Sequence, residues 1–113
     1  MNSEYSPIDS LSSFLTPAQL VKFLQKAVPD LKLRQSSLQL ALEKQQWEVA
    51  AKQAHDLKSS ISFFKDDSLA AKLESIETGN DDVIKSPGFI ESLMLQCQQL
   101  IDSLEDYLSQ NQS

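Results

Sequence analysis

His55 is the only histidine among the 113 residues, and lysines stand three places to either side of it, at Lys52 and Lys58. On a helix, residues three apart lie on neighbouring parts of one face. A solvated imidazole is largely neutral at pH 7 and can attack an electrophilic phosphorus atom. Nearby ammonium groups offset the negative charge of a transferring phosphoryl group. These three residues therefore suggest phosphoryl-transfer chemistry, provided that a helix presents them to solvent.

The segment around His55 has the pattern of an amphipathic helix. Its apolar residues recur every three or four places and form one stripe: Trp47, Ala50, Ala54, Leu57, Ile61 and Phe64. At ~100° of rotation per residue, His55 lies ~130° from the centre of this stripe and is expected to face solvent. Glu48 and the small residues Ala51, Ser59 and Ser62 lie within ~40° of His55. Small neighbours would let a partner approach the imidazole closely, and no structural role is predicted for His55, Lys58, Ser59 or Ser62.

Three other helices are predicted along the chain. The first begins with Thr16 as N-cap and Pro17 as its first residue; Pro29 is expected to interrupt or kink it before it continues to about residue 43. The apolar residues of its second part are Leu31, Leu33, Leu38, Leu40 and Leu42. Another helix is capped by Asp66 and Asp67. A polar break at 78–82 then precedes a long last helix that starts at Ser86-Pro87.

Four helices with one apolar stripe each predict an all-α protein, an antiparallel up-and-down four-helix bundle with an additional short N-terminal helical segment. We expect residues 1–15 to form a flexible N-terminal segment, 16–109 the bundle and 110–113 a disordered tail. Because four stripes can cover one another within a single chain, we expect a monomer. Alternating strand patterns and Gly-rich phosphate loops do not occur in the sequence.

Charge and cysteine content restrict the class of protein. The net charge of -6 disfavours nucleic acid and anionic membranes as partners. No apolar run reaches the roughly 20 residues of a membrane helix, and the N-terminus does not have the pattern of a signal peptide. Cys97 stands alone in an apolar pattern and is interpreted as a small core residue in a reducing compartment. We therefore expect a cytoplasmic protein whose partner is another protein.

Two other interpretations compete with phosphoryl transfer. A metal or hydrolytic enzyme is disfavoured, because His55 and Cys97 are too far apart in the sequence to suggest a ligand cluster, and no metal site is predicted. A lone histidine on a helix surface is more often a solvated residue without chemistry. A helical adaptor that binds a partner without carrying phosphate therefore remains the alternative.

The segment Ala54-His55-Asp56-Leu57-Lys58-Ser59-Ser60, followed by Phe64, Leu69 and Ile76-Glu77, resembles the signature of histidine-containing phosphotransfer (HPt) domains of multistep phosphorelays. It is similar in particular to the monomeric phosphotransfer proteins of bacterial quorum sensing. The overall resemblance covers about residues 20 to 108, and its specific part lies within 54–77. Lys65 stands where the family often has glycine.

The resemblance implies that His55 is phosphorylated on Nε2 and that Lys58 stabilises the added charge. It implies receiver domains of response regulators and a hybrid sensor kinase as partners. The receiver would supply Mg²⁺, so this chain needs no cofactor of its own and is not expected to have kinase activity.

Phe63 is the remaining candidate for partner binding, beside Ala51, Lys52, Ser59 and Ser62. It lies ~150° from the centre of the apolar stripe, so its own helix does not bury it. Exposed aromatic residues are common in interfaces. The other possibility is that the N-terminal segment around Leu11, Phe14 and Leu15 covers it.

Overall fold

The computed structural model describes residues 7–111, and in that range all regular secondary structure is helical, which confirms the all-α prediction. The described range contains the α-helices α1 (Asp9–Ser12), α2 (Pro17–Glu43), α3 (Trp47–Ile61), α4 (Asp67–Glu77), α5 (Asp81–Ile84) and α6 (Phe89–Asn111). A 3₁₀ turn, Ser62–Phe64, continues α3. None of these helices combines the length and the apolar character needed to cross a membrane.

Helix α2 begins as predicted, with Thr16 as N-cap and Pro17 as first residue. The Thr16 hydroxyl accepts a hydrogen bond from the Gln19 N–H, and the Gln19 side chain accepts one from the Thr16 N–H. The predicted interruption at Pro29 is wrong, because α2 runs through it as one helix. A proline has no N–H to donate to the carbonyl four residues earlier, which here is the carbonyl of Gln25. Pro29 and Gln25 both lie on the exposed face of the helix. Water can therefore satisfy that carbonyl.

Two leucines in the second part of α2 are exposed. Leu33 is 67% and Leu40 51% exposed, whereas Leu31 and Leu38 are buried. Each exposed leucine follows a core leucine by two residues, which is ~200° of rotation on an α-helix. Leu33 and Leu40 therefore lie on the face of α2 that points away from the core.

The connection between α3 and α4 turns at Lys65, which has the left-handed backbone angles φ 57° and ψ 38°. Glycine adopts this conformation without the clash that a Cβ atom causes. The observed angles thus give a physical reason for a glycine at this position, and Lys65 adopts them at some cost. Asp66 then caps α4 by accepting a hydrogen bond from the Leu69 N–H, which confirms the cap prediction for Asp66, whereas Asp67 is the first residue of the helix.

The chain between α4 and α6 contains a short helix that was not predicted. Asn80 caps α5 through its side chain, which accepts a hydrogen bond from the Val83 N–H. The predicted start of the last helix at Ser86-Pro87 is wrong. Helix α6 begins at Phe89, because Gly88 has φ 79° and interrupts the right-handed path. It extends through residues 110 and 111, which were assigned to the tail, while 112 and 113 lie outside the described residues.

One apolar core lies between the four longest helices. Helix α2 packs against α3 and α6, and α4 packs against the same two helices. Buried residues from all four form a single cluster, which includes Leu24, Leu38, Leu57, Ile61, Leu73, Cys97 and Leu104. Cys97 is 3% exposed, which confirms it as a core residue. Because α3 turns its apolar stripe towards this core, the opposite face of the helix remains available to solvent.

Helix α1 closes one end of the core. Leu11 is buried, and the Ser10 hydroxyl donates a hydrogen bond of 2.9 Å to the Phe63 carbonyl. Residues 1–6 of the predicted flexible segment lie outside the described residues. The described part of that segment contacts the 3₁₀ turn through the Phe63 backbone.

Candidate functional site

His55 lies on the outer face of α3, as predicted. Its side chain is 57% exposed, while Ala54 and Leu57 on the other side of the helix are buried. The apolar stripe of α3 therefore fixes the direction of the imidazole. Its exposure leaves room for a partner to reach the ring.

Glu77, the last residue of α4, contacts the imidazole directly. Its Oε2 atom lies 2.6 Å from Nδ1 of His55. A carboxylate can only accept a hydrogen bond, so Nδ1 carries the proton and donates it. In the neutral ring, Nε2 is then the unprotonated nitrogen with a free lone pair. No hydrogen bond to Nε2 occurs within residues 7–111.

Lys58 contacts the same carboxylate. Its Nζ atom lies 2.7 Å from Oε1 of Glu77 and 3.8 Å from Oε1 of Glu74. Glu77 thus connects the imidazole and the ammonium group, one with each oxygen. The expectation that His55 and Lys58 have no structural role is wrong, because both link α3 to α4.

The ionisation of this cluster follows from its contacts. The Lys58 ammonium, and after it His55, hold the pKa of the Glu77 carboxyl below its usual value. The hydrogen bond to Glu77 in turn raises the pKa of Lys58, with a smaller contribution from Glu74. Glu77 is therefore a carboxylate at neutral pH, which is the form that accepts the Nδ1 proton.

Glu77 and Glu74 were not among the predicted site residues, although the sequence contains a signal for them. Both stand in the last turn of α4, where the helix dipole disfavours negative charge and no basic residue is present. They are three residues apart, like His55 and Lys58 on the preceding helix. Two antiparallel helices with matching spacings place these pairs opposite each other.

The other predicted contact residues surround His55 on α3. Lys52, Ser59 and Ser62 are exposed, and Ala51 is half-buried. The Ser62 hydroxyl donates a hydrogen bond of 2.8 Å to the Ser59 carbonyl, so this contact stays within α3 and the turn that continues it. The surface next to His55 therefore contains small side chains, as predicted, and its two serines are exposed.

Phe63 lies on the 3₁₀ turn beyond α3 and is 49% exposed. Its ring packs edge-on against Phe23 of α2, with 5.4 Å between the ring centroids. The Ser10 hydroxyl of the N-terminal segment donates a hydrogen bond to the Phe63 carbonyl, and about half of Phe63 stays exposed. Phe14 of the same segment is itself 70% exposed. An aromatic surface therefore remains between α2 and the end of α3.

Trp47 is more exposed than predicted. It was assigned to the apolar stripe of α3 but is 43% exposed in the first turn of that helix. Its ring lines a groove that also contains Ala51 and Glu77. An apolar surface thus begins one to two turns before His55.

Within residues 7–111, no three histidine, cysteine or acidic side chains form a group that could hold a metal ion. Comparisons with protein-family models, curated proteins and solved structures find no significant match to this chain. Function must therefore be argued from the contacts of His55, Lys58 and Glu77.

Proposed function

We propose that this chain is a histidine phosphotransfer protein, which relays a phosphoryl group between receiver-domain aspartates through His55. One contact carries the proposal: the 2.6 Å hydrogen bond from Nδ1 to Glu77 directs the free lone pair to Nε2. A half-exposed imidazole with a fixed tautomer is a suitable nucleophile for an incoming acyl phosphate. The HPt-like segment 54–77 supports the same reaction.

The transfer step forms one bond and breaks one. The Nε2 lone pair attacks the phosphorus of an aspartyl phosphate, and the bond from phosphorus to the carboxyl oxygen breaks, so that the electron pair leaves on the aspartate. The Nδ1 proton stays on the ring, which becomes positively charged, and Glu77 compensates that charge. The reverse steps pass the phosphoryl group to a second receiver.

Lys58 and the small residues have complementary parts in this reaction. The Lys58 ammonium compensates the Glu77 carboxylate, so an incoming phosphoryl group meets less net negative charge. Ala51, Ser59 and Ser62, together with Lys52, form the partner-facing surface next to the ring. Phe63 adds an aromatic contact for the receiver.

We further propose the antiparallel up-and-down four-helix bundle, with α1 as the additional N-terminal segment. The pairing of side chains supports it. Lys32 pairs with Glu105, and Gln35, further along α2, bonds Gln98, which is earlier in α6. Helices α2 and α6 are therefore antiparallel. The ring of contacts between the four longest helices supports the rest of the bundle.

The partners implied are response-regulator receivers and a hybrid sensor kinase in the cytoplasm, with the chain acting as a monomer. The receiver would contribute Mg²⁺ and an acidic pocket, whereas this chain contributes the nucleophile. No cofactor of its own and no kinase activity are part of the proposal.

The test is phosphate transfer from receivers of the same genome, phosphorylated beforehand. We expect acid-labile, alkali-stable phosphate on the wild-type chain and none on His55→Gln. Equal labelling of the two proteins would contradict the proposal. A receiver that binds both proteins and labels neither would support the adaptor alternative.

A further inference from the structure

A groove of about 240 Å³ lies between the first turn of α3 and the connection from α4 to α5. Trp47 and Ala51 line it from α3, and Ile76 and Ile84 line it from the other side. Small-molecule pockets begin at roughly 300 Å³. The groove is therefore of a size for one inserted side chain of a protein partner.

The tryptophan gives the groove the character of an interface. Trp47 is the only tryptophan of the chain and is 43% exposed there. Tryptophan is enriched among the residues that dominate binding energy in interfaces. Its ring face also attracts cations, a preference that neither alanine nor isoleucine has.

All charged residues that line the groove are acidic. They are Glu48, Glu77 and Asp81, and neither lysine nor arginine is among the lining residues. Glu77 is already compensated by Lys58. Within residues 7–111, Glu48 and Asp81 form no ion pair, so they provide the remaining negative charge. An apolar floor with a tryptophan and an acidic rim is complementary to a cationic side chain with an apolar stem.

We propose that this groove binds a lysine or arginine side chain of the protein that exchanges phosphate with His55. For the identity of the partner, this inference rests on the proposed function. The charge of the bound side chain is inferred from the groove alone. Ala51 stands one turn before His55 on α3, and Glu77 both lines the groove and bonds the imidazole. A partner that reaches Nε2 therefore covers the groove as well.

The fluorescence of Trp47 reports on this groove alone, because the chain has no other tryptophan. We expect a saturable change on titration with acetyl-Arg-Arg-amide and none with acetyl-Gln-Gln-amide. Glu48→Lys should weaken the arginine response about tenfold. Glu91→Lys is the matched control, because Glu91 is also an exposed acidic residue in the first turn of a helix, α6. Equal responses of the two variants, or a response to the glutamine peptide, would overturn the inference.

Transfer assays connect the groove with the partner. For a receiver that labels His55, Glu48→Lys should lower the labelling rate about fivefold at subsaturating receiver, whereas Glu91→Lys should leave it unchanged. Unchanged labelling of Glu48→Lys would overturn the assignment of the partner. If the arginine peptide binds but no receiver labels the chain, the proposed function fails while cation binding in the groove stands.

Discussion

The two sides of α3 are built in different ways. On the side facing α4, the His55 imidazole and the Lys58 ammonium contact the Glu77 carboxylate at 2.6 and 2.7 Å. On the side facing α2, Phe63 presents a half-exposed ring that packs against Phe23. The α4 side thus has polar contacts to the imidazole, and the α2 side exposes an aromatic ring.

Charge follows the same division. Eight of the ten lysine and arginine residues lie between positions 17 and 65, and ten of the sixteen acidic residues lie between 66 and 111. Helix α3 is therefore in the basic half, and the acidic half begins at the cap of α4. His55 lies at the boundary, where a carboxylate from the acidic half fixes its tautomer. A partner can be oriented by this asymmetry before it makes close contact.

The largest effect is expected on the α4 side, from Glu77→Gln. The amide has no negative charge to compensate the imidazolium formed during transfer, so the labelling rate of His55 should fall about tenfold or more. Rapid-quench labelling with a phosphorylated receiver measures it. Glu74→Gln is the matched control, because it removes the same charge one turn earlier and contacts Lys58 only at 3.8 Å. Equal rates for the two variants would mean that Glu77 does not direct the imidazole.

Lys58→Met should lower the labelling rate about fivefold, because Glu77 then presents an uncompensated charge to the phosphoryl group. In a Glu77→Gln background, the same substitution should cost less, since the carboxylate that Lys58 compensates is gone. Comparing all four proteins gives the coupling between the two residues. Strictly additive losses would instead place Lys58 in direct contact with the phosphoryl group, independent of Glu77.

On the α2 side, Phe63→Ser should weaken receiver binding about threefold and leave the labelling rate at saturating receiver unchanged. Loss of the edge-on contact with Phe23 should also lower the free energy of unfolding by about 1 kcal/mol. Binding is measured by titration calorimetry and stability by denaturant unfolding. Phe14→Ser is the control, since Phe14 is more exposed at 70%. An equal loss of affinity in both variants would remove Phe63 from the docking surface.

The ion pair on the α4 side should also give a pH-dependent stability. The depressed pKa of Glu77 means that its contribution is present above about pH 4.3 and is lost as pH falls through the folded value. The raised pKa of Lys58 means that its contribution is present below about pH 10.4 and is lost as pH rises through the folded value. The difference in Tm between wild type and Lys58→Met should therefore be largest between these limits. A difference that is constant down to pH 3 would contradict this.

Local sequence patterns predicted much of this division. Apolar spacing located the helices and turned His55 outward, and Thr16 and Asp66 marked two helix starts. Patterns of one helix do not reveal what a neighbouring helix covers, so Trp47 was wrongly assigned to the core. The pairing of Glu77 with His55 depends on the register between α3 and α4, which neither helix determines alone.

Backbone conformation was the other feature that spacing did not predict. Gly88 has a positive φ and delays α6 by two residues beyond Ser86-Pro87, although nothing in the apolar pattern distinguishes these starts. The left-handed turn at Lys65 could not be predicted from spacing either, because a lysine gives no local indication of such a turn. The only signal was the resemblance to HPt domains, which often have a glycine at this position.

The smallest effect is expected at Lys65, which joins the two sides and belongs to neither. Lys65→Gly removes a left-handed strain of about 1–2 kcal/mol and adds about 0.5–1 kcal/mol of unfolded-chain entropy. The free energy of unfolding should therefore rise by about 0.5 kcal/mol, measured by denaturant unfolding, with labelling of His55 unchanged. Lys65→Ala keeps the Cβ atom and should give no gain. Equal gains in stability for glycine and alanine would assign the effect to the lost lysine charge. A change in the labelling of His55 would mean that the turn at Lys65 also affects the site around the imidazole.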